Sequence, residues 1–471
     1  MLTIVGLGVR EGDLSERAKN AILNAELVLV RTELTQSAKS LKNLAVPYTA
    51  LDYLYEKSRN FDTLKNNLVK EIRALSKGKN TVYLVDGSVS EDVVGIRLRE
   101  KEDVQVIDGI SKSSHFAALA NLGGYTCLSA YDYEKFKRAS LPLVLYDLDN
   151  RELASDVKLY LADLIGEECE VAFYHRDKGK TIRLFEMDRE ETYDYSTAVV
   201  IKETPLLKKE RFDYTDLEDL IKLLRAPGGC PWDRAQTNAS IRTNLVEEAY
   251  ELVDAIESED DDHIREETGD VLLQAAFHAV IKEEEGVFTS ADAITDLCKK
   301  LIFRHSHIFG EDKAASDTEA LGVWDKNKQI EKGQTTFSDA VLDVPKAFPA
   351  LMRAQKVGKR AGKSGLDFED VASALKSVQD ELKEFEEAYR TGEKEEISSE
   401  LGDALFALVN AGRKAGVDAE FALKGTTDKF IKRFVETEKL VLADGKAMQE
   451  LTAEELDGYY RRAKEACKHT N

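Results

Sequence analysis

The feature that most constrains this chain of 471 residues is a duplication in its second half. Glu247-Glu-Ala-Tyr-Glu251 leads to Glu267-Thr-Gly-Asp270, and Asp380-Glu-Leu-Lys-Glu384 leads to Glu400-Leu-Gly-Asp403. The interval from Glu248 to Asp270 and from Glu381 to Asp403 is 22 residues in both copies. Downstream, Lys300-Leu-Ile-Phe-Arg304 is matched by Lys429-Phe-Ile-Lys-Arg433, and Trp324 with Lys328 by Tyr460 with Lys464. From about Lys208 onward, apolar residues fall every three or four positions with Glu and Lys between them, so the repeated unit is a set of amphipathic helices.

Positions i, i+3 and i+4 share a helix face, so Glu247, Glu248 and Glu251 project to one side, as do Glu267 and Asp270 on the next helix. The acidic stretch Ser258 to Asp262 reads as a turn between them. Antiparallel packing then gathers four or five carboxylates, while Leu245, Val246, Ala249, Leu252, Val253, Val271, Leu272 and Ala275 form a core-facing stripe. Like charges this close oppose one another, so the cluster persists only if cations neutralise it or the side chains splay into water. A single Glu-x-x-Glu among 88 acidic residues is ordinarily a solvated face. Two copies at the same offset select the metal reading. All-oxygen ligation suits a hard cation, Mg²⁺ first and Mn²⁺ as the alternative. Lys300 with Arg304, and Lys429 with Arg433, are i, i+4 pairs of the kind that clamps phosphate oxygens. His305 and His307 have ligand spacing, but the oxygen cluster already accounts for a metal.

The first two hundred residues alternate β-type runs (Leu2–Val9, Leu27–Val30, Thr81–Val85, Val104–Ile107, Leu141–Tyr146) with amphipathic stretches, which reads as α/β with a mainly parallel sheet. Runs at Glu170–Tyr174, Ile182–Phe185 and Ala198–Ile201 predict a second small sheet. A Gly- and Pro-punctuated region around Gly333–Pro349 splits the helical half. The expected organisation is an α/β domain over 1–206 and two all-α domains over 207–336 and 337–471. An excess of 22 negative charges argues against duplex nucleic acid as partner. Five scattered cysteines without a CxxC pair argue against a disulfide framework and point to a reducing cytoplasm. No run approaches 18 apolar residues and no signal-peptide pattern is present, so no membrane is expected.

On these motifs the helical half, from about Asp213 to the C terminus, resembles the MazG family of nucleoside triphosphate pyrophosphohydrolases, all-α enzymes with an EExxE…ExxD metal motif. Gly228-Gly-Cys-Pro-Trp-Asp-Arg-Ala-Gln-Thr237 is similar to that family's lead-in loop and Arg304-His-Ser-His-Ile-Phe-Gly310 to the close of its repeat. Leu401–Asn410 is similar to the second ExxD helix. The resemblance implies hydrolysis of a nucleoside triphosphate to monophosphate and diphosphate with Mg²⁺, and a homodimer. By position it makes Glu248, Glu251, Glu267 and Asp270 metal ligands in the first repeat, and Glu381, Glu384, Glu400 and Asp403 in the second. Glu247 and Asp380 would orient or deprotonate the attacking water, Asp380 being one methylene shorter than the family's Glu. Lys429 and Arg433, with Lys300 and Arg304 in the first repeat, would hold phosphate oxygens. Tyr460, where the family often has Trp, and Lys464 would close the second site; Trp232 is either a base-pocket wall or a structural staple.

The N-terminal part, with Val5-Gly-Leu-Gly8, Gly12-Asp13 and Ile107-Asp-Gly-Ile-Ser111, resembles the tetrapyrrole methylase family, which binds S-adenosylmethionine between two α/β lobes. Gly6, Gly8, Asp86 and Gly109 are the cofactor-binding candidates this implies. Asp86-Gly-Ser-Val89 departs from the family's Pro-Gly-x-Pro type turn, and Asp108 stands where a Pro commonly precedes Gly109. A carboxylate there would repel the cofactor's own. Such a lobe fused to a duplicated MazG part resembles bacterial YabN-type proteins. Two rival readings are a methyltransferase whose helical half only dimerises it, and a non-catalytic nucleotide sensor.

Overall fold

The computed structural model describes residues 1–58, 61–100, 103–136 and 141–468. They form two compact units, Met1–Ser290 and Ala291–Asn471. The boundary falls inside the stretch that the sequence assigns to its first helical domain.

The first unit begins with β1 (Leu2–Gly6), β2 (Leu27–Val30), β3 (Thr49–Ala50), β4 (Thr81–Val85) and β5 (Gln105–Ile107), a parallel sheet in the order β3-β2-β4-β1-β5. Successive strand residues face opposite sides, so Ile4 and Tyr83 enter one core while Val5, Val82 and Leu84 enter another. Burial on both faces is why these strands read as continuous apolar runs. The second sheet holds β6 (Thr126–Ser129), β7 (Leu143–Tyr146), β8 (Glu170–His175), β9 (Lys178–Arg183) and β10 (Thr197–Ile201) in the order β6-β7-β10-β8-β9. Only β6 and β7 pair in parallel. The run Leu141–Tyr146, which reads with the parallel strands in sequence, thus belongs to the second sheet. After β10 no strand occurs among the described residues.

Helix Tyr214–Arg225 then packs on helix Asp261–Glu284 through Ile221, Phe277, Val280 and Ile281. Arg225 locks the intervening loop by donating to the carbonyls of Asp233 and Gln236 and to both oxygens of Glu284, at 2.8 and 2.7 Å. Helix Arg242–Ser258 packs along Asp261–Glu284 as a hairpin. Its turn places Glu259 at φ 55°, and the Asp260 side chain caps the second helix through the amides of Asp262 and His263. In the second unit, helices Val371–Thr391 and Lys394–Lys414 repeat this hairpin, with Gly392 at φ 80° in the place of Glu259.

The core-facing stripe expected in the first hairpin is only partly realised. Leu252, Val253 and Val271 are half-buried, whereas Val246 is 53% and Leu272 46% exposed and Ala249 and Ala275 are exposed as well. The second unit shows the same inversion: small Ala388, Ala404, Ala407 and Ala411 are buried, while Leu401, Leu405, Leu408, Phe430 and Phe434 are exposed. Two helices alone cannot enclose stripes this wide.

Candidate metal centres

The two hairpins each bring three carboxylates together. In the first, one oxygen each from Glu248, Glu267 and Asp270 lies within 4.8 Å of the others; in the second, the same is true of Glu381, Glu384 and Glu400. The turn geometry produces this, because a tight reversal sets the EExxE face of one helix opposite the ExxD face of the next. Glu251 sits near enough to Glu248, and Asp403 to Glu381 and Glu400, to repel them. All eight predicted ligands therefore lie in or against the clusters.

Crowding leaves an electrostatic mark. Glu248 is raised above the usual glutamate range by desolvation, then by Asp270 and Glu251. Glu381 is raised by desolvation, then by Glu384 and Asp403, and Glu400 by desolvation, then by Glu384 and Asp403. Glu267 is 8% exposed; His263 Nε2 lies 3.1 Å from its Oε1, and its buried Oε2 has no hydrogen-bond partner. A buried carboxylate with one oxygen unpaired, beside two further carboxylates, fits a hard cation.

The surrounding residues divide. Glu247 is exposed on the first helix, and Asp380 is exposed on its counterpart, where Lys383 at 2.8 Å holds its carboxyl below the usual range. Arg304 donates to Glu331 at 2.6 Å and lies 5.2 Å over the Trp324 ring, so its charge is already committed, and Lys300 helps it hold Glu331 low. Lys429 and Arg433 carry no ion pair among the described residues, nor does Lys464. Tyr460 packs on Phe430 with ring centres 6.1 Å apart. Trp232 is 60% exposed on the short helix Pro231–Ala235. His305 bonds its own helix through Leu301, away from any ligand role.

Sequence reasoning does not single out His263 or assign Lys328. The first is signalled only by its i, i+4 spacing to Glu267. The Lys328 ammonium stands 4.7 Å over Trp324, and burial, then Arg304 and Lys332, hold it below the usual lysine range.

In the N-terminal lobe, ligands of open α/β sheets bind beyond the carboxyl ends of the strands at a topological switch point, here between β1 and β4. Beside that point the chain's own loops close together, while a cavity lined by Arg31, Asp86, Lys112 and Asp147 lies beyond β4. A Cβ on Gly6 would meet the Gly109 nitrogen at 2.5 Å, and Gly8 bridges Gly87. Glu91 caps the helix Lys112–Leu119 through the amides of Lys112 and Ser113 at 2.7 and 2.9 Å, and Asp108 accepts from Val89 and Gly109. Asp86 is half-buried, accepts from Ser37 at 2.6 Å and pairs with Lys112, whose ammonium also meets Asp147. Desolvation raises Asp86 despite that partner.

The profile described as MazG nucleotide pyrophosphohydrolase domain matches residues 236–309 and again 365–436, the two stretches that hold the carboxylate hairpins. Over 98% of both chains the sequence is 32% identical to an uncharacterised protein of Bacillus subtilis, YabN. The chain belongs to the MazG family. MazG of Thermotoga maritima, a nucleoside triphosphate pyrophosphohydrolase/pyrophosphatase, is 40% identical over 55% of this chain and 98% of its own. The Escherichia coli nucleoside triphosphate pyrophosphohydrolase is 38% identical over 52% of this chain and 94% of its own. Residues 1–176 match the profile of tetrapyrrole (corrin/porphyrin) methylases, so two MazG domains follow a methylase-like lobe.

Proposed function

We propose that this MazG protein is a Mg²⁺-dependent nucleoside triphosphate pyrophosphohydrolase, converting a nucleoside triphosphate and water to the monophosphate and diphosphate. The observation that carries the reading is the trio of carboxylates assembled twice by the same hairpin. A divalent ion held there, Mg²⁺ or in its place Mn²⁺, lowers the pKa of bound water and offsets charge on the departing diphosphate. The chain's own groups do the rest. Glu248, Glu251, Glu267 and Asp270, and Glu381, Glu384, Glu400 and Asp403, supply hard oxygen ligands. Glu247 receives a proton from water at the first centre. Asp380, tied to Lys383, is the weaker base and orients water at the second. Lys429 and Arg433, without competing carboxylates, bind the outer phosphate oxygens, and Tyr460 and Lys464 close over the nucleotide. Lys300 and Arg304 serve the first repeat less well because Glu331 neutralises Arg304. Trp232 offers an exposed ring to a base.

The domains follow as 1–206, 207–336 and 337–471. The exposed Leu side chains of both hairpins, with Phe430 and Phe434 on helix Ala419–Ala443, are covered by a second copy of the chain, giving a homodimer. A cytoplasmic setting suits five free cysteines, and no helix among the described residues is long and apolar enough to cross a membrane. Against S-adenosylmethionine stand the amides that open helix Lys112–Leu119 and those of Val89 and Gly109, which already hold Glu91 and Asp108 and so are not free for a ligand's carboxylate. Equilibrium dialysis should find no retained S-adenosylmethionine; saturable retention would restore the methyltransferase reading. For the main reading the test is a panel of triphosphates: diphosphate release that requires Mg²⁺ supports an enzyme, and binding without turnover supports a sensor.

A further inference from the structure

We infer that His263 is a positioning residue of the first metal centre and that the two centres are built differently. The inference rests on the metal reading above. Glu267 is the most buried carboxylate of its trio, and a buried glutamate with two free oxygens can turn either toward a cation. Here the choice is made in advance. The Asp260 cap fixes the His263 backbone at 3.2 Å, one helical turn before Glu267. From there its Nε2 stands 3.1 Å from Oε1, a donor's place beside that oxygen, while Oε2 has no hydrogen-bond partner and the carboxylate lies with those of Glu248 and Asp270. Groups that hydrogen-bond a metal-ligating side chain fix its orientation, and their loss typically costs about 10- to 100-fold in metal affinity.

The second hairpin lacks this device. With Glu381 aligned on Glu248 and Glu400 on Glu267, the position of His263 is taken by Glu396. Its carboxylate accepts from Thr391 Oγ1 at 2.9 Å and repels Glu400 instead of holding it. The first centre therefore has a ring nitrogen beside its buried ligand, whereas the second has a further carboxylate there and a ligand that nothing holds among the described residues.

The experiment uses Mn²⁺ alone as probe, titrated into the full chain and followed by electron paramagnetic resonance of the free ion. Glu381→Gln with Glu384→Gln removes the second centre and isolates the first. In that background His263→Ala should weaken Mn²⁺ binding about tenfold or more, and His263→Gln, whose amide still donates, should recover most of the loss. The same substitutions in a chain lacking Glu248 and Glu251, each changed to Gln, should leave second-centre affinity unchanged. Equal Mn²⁺ affinity with His, Ala and Gln at 263 would overturn the role of His263 while leaving the metal centres standing. Failure of the unaltered chain to bind Mn²⁺ would overturn both.

Discussion

Replacing Glu267 with Gln should change stability in opposite directions with and without metal. Its carboxylate has two like-charged neighbours within 4.8 Å, Glu248 and Asp270. Each such pair repels by about 0.9 kcal/mol in water-like surroundings and about 3.5 kcal/mol at an effective dielectric near 20, so two pairs amount to roughly 2 to 7 kcal/mol. Both neighbours are half-buried and partly screened, which favours the lower end, roughly 2 kcal/mol. Against this, His263 Nε2, 3.1 Å away, loses its charged neighbour, about 1 kcal/mol. The net expectation in chelator is a gain of roughly 1 kcal/mol, or about 2 to 4 °C in Tm for a unit of this size. With Mg²⁺ at about a hundred times Kd, the unaltered chain should gain about 2.7 kcal/mol and the Glu267→Gln variant far less, so the order of melting inverts. Differential scanning fluorimetry in chelator and in Mg²⁺ reads both signs. A variant that melts lower in chelator and still gains the full increment from Mg²⁺ would refute the argument, because Glu267 would then be a structural acid and not a ligand.

Three further outcomes follow from the same geometry. Glu248, Glu381 and Glu400 hold protons more tightly in the folded chain than the ordinary 4.5, so metal-free stability is fullest below that value and is lost as pH rises through the raised folded values. A cation must displace those protons, so Mg²⁺ affinity should fall as pH drops from neutrality toward 5, and calorimetric titration across that range that finds it constant would contradict the crowding. Glu259→Gly replaces a left-handed Glu by the residue its counterpart Gly392 already is, and should raise stability by about 1 kcal/mol in denaturant melts; a loss would mean the Glu259 side chain supports the turn. Light scattering should give twice the chain mass, and Leu405→Glu with Phe434→Glu should halve it, whereas a monomer before substitution would leave the exposed faces without an occupant.

Local regularities of this chain could be read directly, and long-range partnerships could not. The carboxylate trios were legible because the 3.6-residue period fixes which of Glu247, Glu248 and Glu251 share a face, and because equal spacing in two copies implies the same turn twice. The α/β lobe was legible from its apolar runs for the same local reason. What the spacing could not say is where a side chain finds a partner across a loop. Arg304 looks like a free phosphate clamp until Glu331, 27 residues on, takes its charge. The run Leu141–Tyr146 has the composition of any buried strand, and only its pairing with β10 assigns it to the second sheet. The stripe of Leu245, Val246 and Leu272 has the period of a core face, yet period alone does not distinguish burial within one chain from burial between two. His263 was hidden because its backbone position needs the Asp260 cap before its i, i+4 reach to Glu267 has meaning.

The most direct test of the two-centre account is product analysis from a nucleoside triphosphate in Mg²⁺, comparing the unaltered chain with one in which Glu248, Glu251, Glu381 and Glu384 are all changed to Gln. Nucleoside monophosphate and diphosphate in equal amounts from the first, and none from the second or in chelator, is the predicted result. Undiminished diphosphate release by the substituted chain would contradict it.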